Sequence, residues 1–251
     1  MWKKSKQRVF IMLRGDIIRY VDMTIAEGQN LQRGMNFNVT NRGYSVILMS
    51  VRENAPYADE TIDDGRTIIY EGHDVQKNHA PIGAILKDLD QPYKTPSGTL
   101  TENGKFFDAA TAYKNNPDSI ARVVKVYEKI KDGIWVYNGF FYLTDAWIQQ
   151  AGGRKVFKFK LEMIEDDDTA VEDKKDHKAH VLELEHNRLI PTEVKVMVWK
   201  RDKGRCVKCG SNTNLHYDHI IPFSKGGASD SPDNIQLLCS SCNLKKKDNI
   251  E

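Results

Sequence analysis

Long apolar runs are missing from this 251-residue chain, and without eighteen consecutive apolar residues no helix is expected to cross a bilayer. Cysteine is scarce. All four cysteines lie between Cys206 and Cys242, so no disulfide framework staples the first two hundred residues, and this usage fits a reducing, cytoplasmic compartment. A secretory leader is not expected either, because the basic start Met1–Arg8 is followed only by the short apolar run Val9–Leu13 before Arg14 and Asp16. Net charge is small, with 37 Lys and Arg against 35 Asp and Glu, and taken evenly it would argue weakly for a polyanionic partner. The charge is segregated, however. Glu165–Asp168, Glu172, Asp173 and Asp176 form an acidic stretch, whereas Lys200, Arg201, Lys203, Arg205, Lys208 and Lys245–Lys247 make the C-terminal end locally basic, as a phosphate-gripping surface must be.

The length allows one or two domains, and a change of composition near residue 165 favours two. Before that point, short runs rich in Val, Ile, Tyr and Phe alternate with Gly, Asn and Asp, the pattern of a strand-rich unit. Strands are predicted at Gly43–Ser50, Thr67–Tyr70, Ala121–Tyr127, Phe140–Asp145 and Val156–Leu161, with a helix over Phe106–Asn115 and a short turn near Gln29–Arg33. The stretch His73–Leu100 holds Pro81, Pro92 and Pro96 and is predicted as loop. Residues 166–190 read as an acidic linker. A second unit, 191–251, then opens with Thr192 as the predicted cap of a helix through Val194, Val198 and Trp199, which Gly204 ends.

Two C-x-x-C pairs, Cys206/Cys209 and Cys239/Cys242, can each place two thiolates on one side of a tight turn, and together they suit one tetrahedral zinc rather than two disulfides. Such a zinc is structural. Four sulfur ligands leave no coordination position for water, so any chemistry must lie elsewhere.

Between and after these pairs stand Leu215-His-Tyr-Asp218-His219, then Asn234-Ile-Gln-Leu-Leu-Cys239, then Cys242-Asn243-Leu-Lys-Lys246. Combined in this order, the segments resemble the HNH, or ββα-metal, nuclease family over about sixty residues. The resemblance implies a DNA endonuclease in which Asp218 and Asn243 ligate a catalytic Mg²⁺ or Mn²⁺, His219 is the general base, and Asn234 fixes the His219 imidazole. Hydrolysis of a phosphodiester needs an activated water and a cation to offset developing charge, and a carboxylate with an amide oxygen suits a hard cation better than thiolates do. His216 is assigned a structural role, and the Lys245–Lys247 run reads as a solvated helix face unless it lies beside the metal site and grips DNA.

In the front unit, acidic residues crowd the segment Tyr57-Ala-Asp59-Glu60-Thr-Ile-Asp63-Asp64-Gly65, which ahead of Tyr70-Glu71-Gly72 reads equally as a metal loop or a solvated hairpin. With Arg14-Gly-Asp16, Gly43–Leu48, Asp90-Gln91, Val123–Tyr127, Tyr137–Tyr142, Trp147 and Val156–Leu161, its order resembles the SRA (YDG) family over roughly residues 10–164. That resemblance implies a curved β-barrel with flanking helices that flips a modified cytosine from duplex DNA. Tyr57 and Tyr70 would sandwich the base, Asp59, with Glu60 or Asp63 as fallback, would read its Watson–Crick edge, and Glu71 stands where the eukaryotic members carry a small hydroxyl residue. Gln32, Arg33 and Met35 are candidates to enter a groove.

Taken together, the expected architecture is α+β: an SRA-like unit over 1–165 and a small ββα-metal unit with a four-cysteine zinc over 191–251. The expected activity is modification-dependent restriction of double-stranded DNA carrying 5-methyl- or 5-hydroxymethylcytosine, in a prokaryotic cytoplasm and without a membrane partner. Cutting both strands with a module that cuts one at a time favours a homodimer. The competing readings are a nuclease with a general nucleic-acid-binding front unit, and a zinc-stabilised DNA-binding protein without catalysis.

Overall fold

The computed structural model describes residues 12–31, 33–39, 42–116, 118–164, 189–222 and 225–246. Gln32, Lys247 and nearly all of the acidic linker lie outside these residues. The fold is mixed α+β. Its larger sheet contains β1 (Ile17–Arg19), β2 (Met35–Asn36), β3 (Ser45–Met49), β4 (Glu60–Ile62), β5 (Thr67–Glu71), β6 (Arg122–Lys131), β7 (Ile134–Ala151) and β8 (Arg154–Met163). The order is β2-β3-β6-β7-β8-β5-β4, with β3 and β6 parallel, and β1 added beside β7. β7 organises the sheet: β6 follows it along one edge, while β1 takes its start, Ile134–Val136, and β8 takes Phe141–Ala151. Register shifts at Val126/Tyr127 and Leu143/Asp145 mark bulges that bend these long strands.

Helix α1 (Tyr20–Glu27) precedes the position where only a turn near Gln29–Arg33 is predicted. Its Val21 and Ile25 face solvent, so it lacks the apolar stripe by which a helix is recognised in sequence. The predicted helix at Phe106 begins earlier, as α2 (Glu102–Asn115), because the Thr101 side chain accepts the Gly104 backbone N–H and caps it. Phe106 and Ala110 of α2 pack on Ile47, Val124, Val126, Phe141, Phe159 and Leu161, which form the main core. Met35 is buried in that core and enters no groove. The segment Glu60–Glu71 is the β4–β5 hairpin, turned by Asp63–Gly65. Acidic turn residues here suit the left-handed conformation at Asp63 and Asp64.

The C-terminal part contains α3 (Thr192–Arg201), a hairpin of β9 (Leu215–His219) and β10 (Ile235–Cys239), and α4 (Ser240–Lys246). It shares a core with the large sheet: Ile130 and Val136 pack with Ile190, Val194, Val198, Tyr217, Ile235 and Leu237. Leu189 and Ile190, expected at the end of the linker, are packed, and Leu189 closes on Gly65 so tightly that a Cβ there would collide with it. Thr192 does not cap α3. Its hydroxyl donates instead to Glu128 Oε1 of β6, and the same carboxylate takes Lys195 Nζ at 2.5 Å and Asn138 Nδ2 at 2.9 Å, all buried.

Burial pushes the Glu128 carboxyl up, but the Lys195 ammonium and the hydrogen bonds from Lys195, Thr192 and Asn138 outweigh it and hold the group below its ordinary value. Removing one partner strands a charge in a dry site. Lys195→Met is therefore expected to cost about 3–5 kcal/mol in urea unfolding, and Glu128→Leu combined with Lys195→Met much less. Equal costs for the single and double variants would contradict this account.

Candidate functional site

The four cysteines come together as the spacing predicts. Cys206 and Cys209 lie on the turn after α3, Cys239 ends β10 and Cys242 lies in the first turn of α4. Their sulfurs all fall within 4.8 Å of one another, and Cys209 Sγ stands 3.6 Å from Cys239 Sγ. Ligands about 2.3 Å from a tetrahedral centre are about 3.8 Å apart, so the sulfur positions fit one metal ion. Burial raises the Cys206 thiol, but backbone groups of Cys239, Cys209 and Lys208 outweigh it and bring it down to about 6.

Antiparallel pairing of β9 with β10 sets Asp218 opposite Gln236 and His219 opposite Ile235. α4 packs across this hairpin and returns Lys246 to it. Lys246 Nζ lies 2.9 Å from Asp218 Oδ2 and donates to the His219 carbonyl at 2.5 Å, while Gln236 Nε2 donates to the same Oδ2 at 3.2 Å. Both contacts fall on Oδ2. Oδ1 has no hydrogen-bond partner among the described residues. Lys246 is buried, so at this position the Lys245–Lys247 run is not a solvated face; Lys245 is exposed as expected, and Lys247 lies outside the described residues. Asn243 stands one helical turn before Lys246 on α4, half-buried, on the side that approaches β9.

His219 Nε2 lies 2.9 Å from Ser229 Oγ, and Nδ1 has no partner among the described residues. Burial lowers the His219 pKa, and Lys246 adds to this against the opposing pull of Asp218, so the imidazole stays neutral near pH 7. Asn234 makes no hydrogen bond to this ring. Its side chain accepts from Ile221 N (2.8 Å) and donates to Ile221 O (3.1 Å) and Ala228 O (3.0 Å), pinning the loop that presents Ser229. Ser229 and Gln236 were not singled out from sequence as parts of this site, and Lys246 entered only within the Lys245–Lys247 run, as a solvated face or a grip on DNA. Only the C-x-x-C-Asn-x-x-Lys spacing carried any signal, and it pointed to Lys246. His216 faces Asp16, with Nδ1 3.4 Å from Oδ1.

In the front part, a cavity of about 1390 Å³ is lined by Tyr57, Asp59, Tyr70 and His73, with Arg33, Arg52, Lys94 and Lys105 among its cations. Tyr57 and Asp59 also border a shallower depression of about 430 Å³, and Glu71 lines only that one. Glu71 is committed to Arg154 (3.4 Å), Lys158 (3.2 Å) and the Ala58 backbone N–H (3.2 Å). His73 is the ring placed against Tyr57, with centroids 5.5 Å apart at 24°. Tyr70 is fully buried, and its hydroxyl lies 3.0 Å from His73 Nε2. His73 was missed in sequence, where nothing local distinguishes it from a surface histidine. Burial lowers its pKa to about 4, so the ring is neutral. Asp59 accepts the Ser50 and Glu71 backbone N–H groups at 3.0 Å each. Glu60 and Asp63 line neither depression.

Residues 206–249 match the family model described as HNH endonuclease. A protein of Lactococcus phage SK1 described as "Probable HNH endonuclease" is 42% identical over 60 residues, which cover 21% of this chain and 64% of the phage protein. The chain thus spans less than two thirds of that relative. Among solved structures, the SRA domain of SUVH5 in complex with methylated CHH DNA is 20% identical, covering 60% of this chain and 88% of that one with a TM-score of 0.41. Arabidopsis thaliana SUVH6 is 18% identical over 61% of this chain and 25% of that one, with a TM-score of 0.37. No helix among the described residues is long and apolar enough to cross a membrane.

Burial raises the Asp59 carboxyl from 3.8 to about 7, against the lowering effect of its two backbone hydrogen bonds. The folded state therefore keeps this proton longer than the unfolded chain does, and the stability linked to Asp59 is lost as pH rises from about 4 to 7. Urea unfolding across that window is expected to show a smaller loss of stability with rising pH in Asp59→Asn than in the parent. Identical pH slopes would count against a buried, proton-retaining Asp59.

Proposed function

We propose that the chain is a DNA endonuclease that recognises a modified cytosine through its front part and hydrolyses a nearby phosphodiester bond at Asp218 and His219. The observation that carries the nuclease reading is that, within the segment that matches the HNH family model, both contacts to Asp218 fall on Oδ2 while burial favours the neutral form of the adjacent His219 imidazole. On this reading Asp218 Oδ1 and Asn243 hold a divalent cation, Mg²⁺ or Mn²⁺, which supplies charge neutralisation at the phosphate and the leaving oxygen. In the tautomer protonated at Nε2, His219 would donate to Ser229 Oγ, 2.9 Å away, and its Nδ1 would take the proton of the attacking water. Gln236 and Lys246 keep the Asp218 carboxylate in one orientation. Asn234 holds the Ile221–Ala228 loop.

The four cysteines hold zinc, and with no coordination position left open that ion is structural. In the front part, Tyr57 offers a stacking face, and a carboxyl that titrates near neutrality can accept from the cytosine exocyclic amine or donate to the ring nitrogen. The cations bordering the cavity suit a phosphate backbone drawn across its mouth. The proposed substrate is double-stranded DNA carrying 5-methyl- or 5-hydroxymethylcytosine, with two copies of the chain acting together where both strands are cut.

Duplexes identical but for cytosine, 5-methylcytosine or 5-hydroxymethylcytosine test this reading in Mg²⁺, Mn²⁺ or EDTA. Cleavage is expected only with a divalent cation and a modified base, and His219→Ala should slow it about 100-fold or more while retaining DNA binding. Equal cutting of unmodified DNA would remove the cytosine reading, and no cutting in either metal would remove the nuclease. A separate expectation concerns the sulfur site. Elemental analysis of purified protein should find a single zinc per chain, and Cys239→Ser should lose it and lower the thermal midpoint.

A further inference from the structure

The segment Leu13–Arg19 lies between the two parts and bonds to both. Gly15 N–H donates to Tyr137 O of β7 (2.9 Å) and Tyr137 N–H returns to Asp16 O (2.9 Å), after which β1 continues the pairing along β7. On the opposite side Tyr217 N–H, from the strand that carries Asp218 and His219, donates to Gly15 O at 3.2 Å. Asp16 bridges His216 on the same strand. Gly15 sits at φ +90°, a left-handed conformation that favours glycine, and a Cβ there would come within 3.3 Å of Tyr217 O. Behind the seam, Tyr217 Oη donates to Lys195 O (2.8 Å), and Lys195 Nζ reaches the buried Glu128 and Asn138 of the large sheet.

We propose that this seam and the Glu128–Lys195 pair make the base-recognition cavity and the cleavage site one rigid body, so that they fix the distance from recognised base to cut. The inference rests on the nuclease reading above for its functional part only. If residues 165–188 were the sole connection, a flexible chain of that length would let its ends separate by about 27 Å, roughly eight base pairs of duplex. Cuts would then scatter over many phosphates. A seam of backbone hydrogen bonds, a shared apolar core and a buried ion pair confines the cut to a narrow register instead. Glu128, Lys195 and Gly15 thereby become determinants of where the enzyme cuts, although none of them touches DNA or the reacting atoms.

The test uses the full chain with a protease site inserted within 165–188, cut after folding. The two pieces are expected to co-elute on a sizing column at low micromolar concentration, and Lys195→Ala should weaken their association about 100-fold or more. Pieces of the parent that separate at that concentration overturn the proposal. In parallel, cleavage ends are mapped on a duplex with one modified base. One dominant offset per strand is expected, unchanged by a flexible insertion of about ten residues within 165–188. A broad ladder of ends, or an offset that widens with the insertion, overturns the proposal. A chain that cuts nothing while its pieces stay together sinks the nuclease reading and leaves the joint standing, so the two failures are told apart.

Discussion

A carboxylate with no exposed surface, Glu128, is the constraint from which the arrangement of this molecule follows. It sits on a central strand of the large sheet, where an unpaired charge would cost several kcal/mol. Asn138 from the neighbouring strand satisfies it, together with Thr192 and Lys195 from α3. Two of the three partners therefore arrive from the other part of the chain. The front sheet is electrostatically complete only with the C-terminal part docked, and α3, held at both Thr192 and Lys195, fixes the hairpin that carries Asp218 and His219.

The same logic recurs at the sulfur-stapled end on a smaller scale. Asp218 is balanced by Lys246, which is itself buried, and both are drawn together because α4 starts from the cysteine cluster and runs back across β9 and β10. The cluster thus places one end of α4, and the Lys246 contacts to Asp218 and the His219 carbonyl place the other. The sulfur cluster and the Asp218 carboxylate differ in the chemistry they offer a cation. Thiolates retain soft cations, and a carboxylate with one unoccupied oxygen attracts hard ones.

What could be read from the sequence divides along the range of the interactions. The cysteine pairs and the main strands were legible because each is encoded within a few residues, by spacing or by runs of β-branched and aromatic side chains. The fold class followed from these. Thr192 was misread because a threonine before a helix is by default its cap, and only the three-dimensional neighbourhood reveals that Glu128, 64 residues away, claims its hydroxyl. Lys246 was lost in a charge run for the same reason. The role of Asn234 was taken from a motif position, whereas its side chain is spent on the backbone of its own loop. His73 had no local mark at all, since its place against Tyr57 joins residues well apart in sequence.

Stacking alone cannot supply the proposed selectivity of the front cavity. Every base has a π-face, so Tyr57 would welcome any of them for roughly 1–3 kcal/mol, about what extrusion from the duplex costs. The cavity is also far larger than one base, so fit to its walls as a whole discriminates little. What remains is the edge of the ring. Asp59 is placed by two backbone hydrogen bonds, one on each oxygen, so a base that cannot pair with the capacity left on this buried carboxyl gains nothing from it. His73 already offers Tyr57 a neutral ring, so an incoming base must exchange with that contact or extend it rather than gain a stack from bare solvent. The net gain from stacking is thereby reduced, and discrimination passes to the hydrogen bonds, which is where cytosine differs from its competitors.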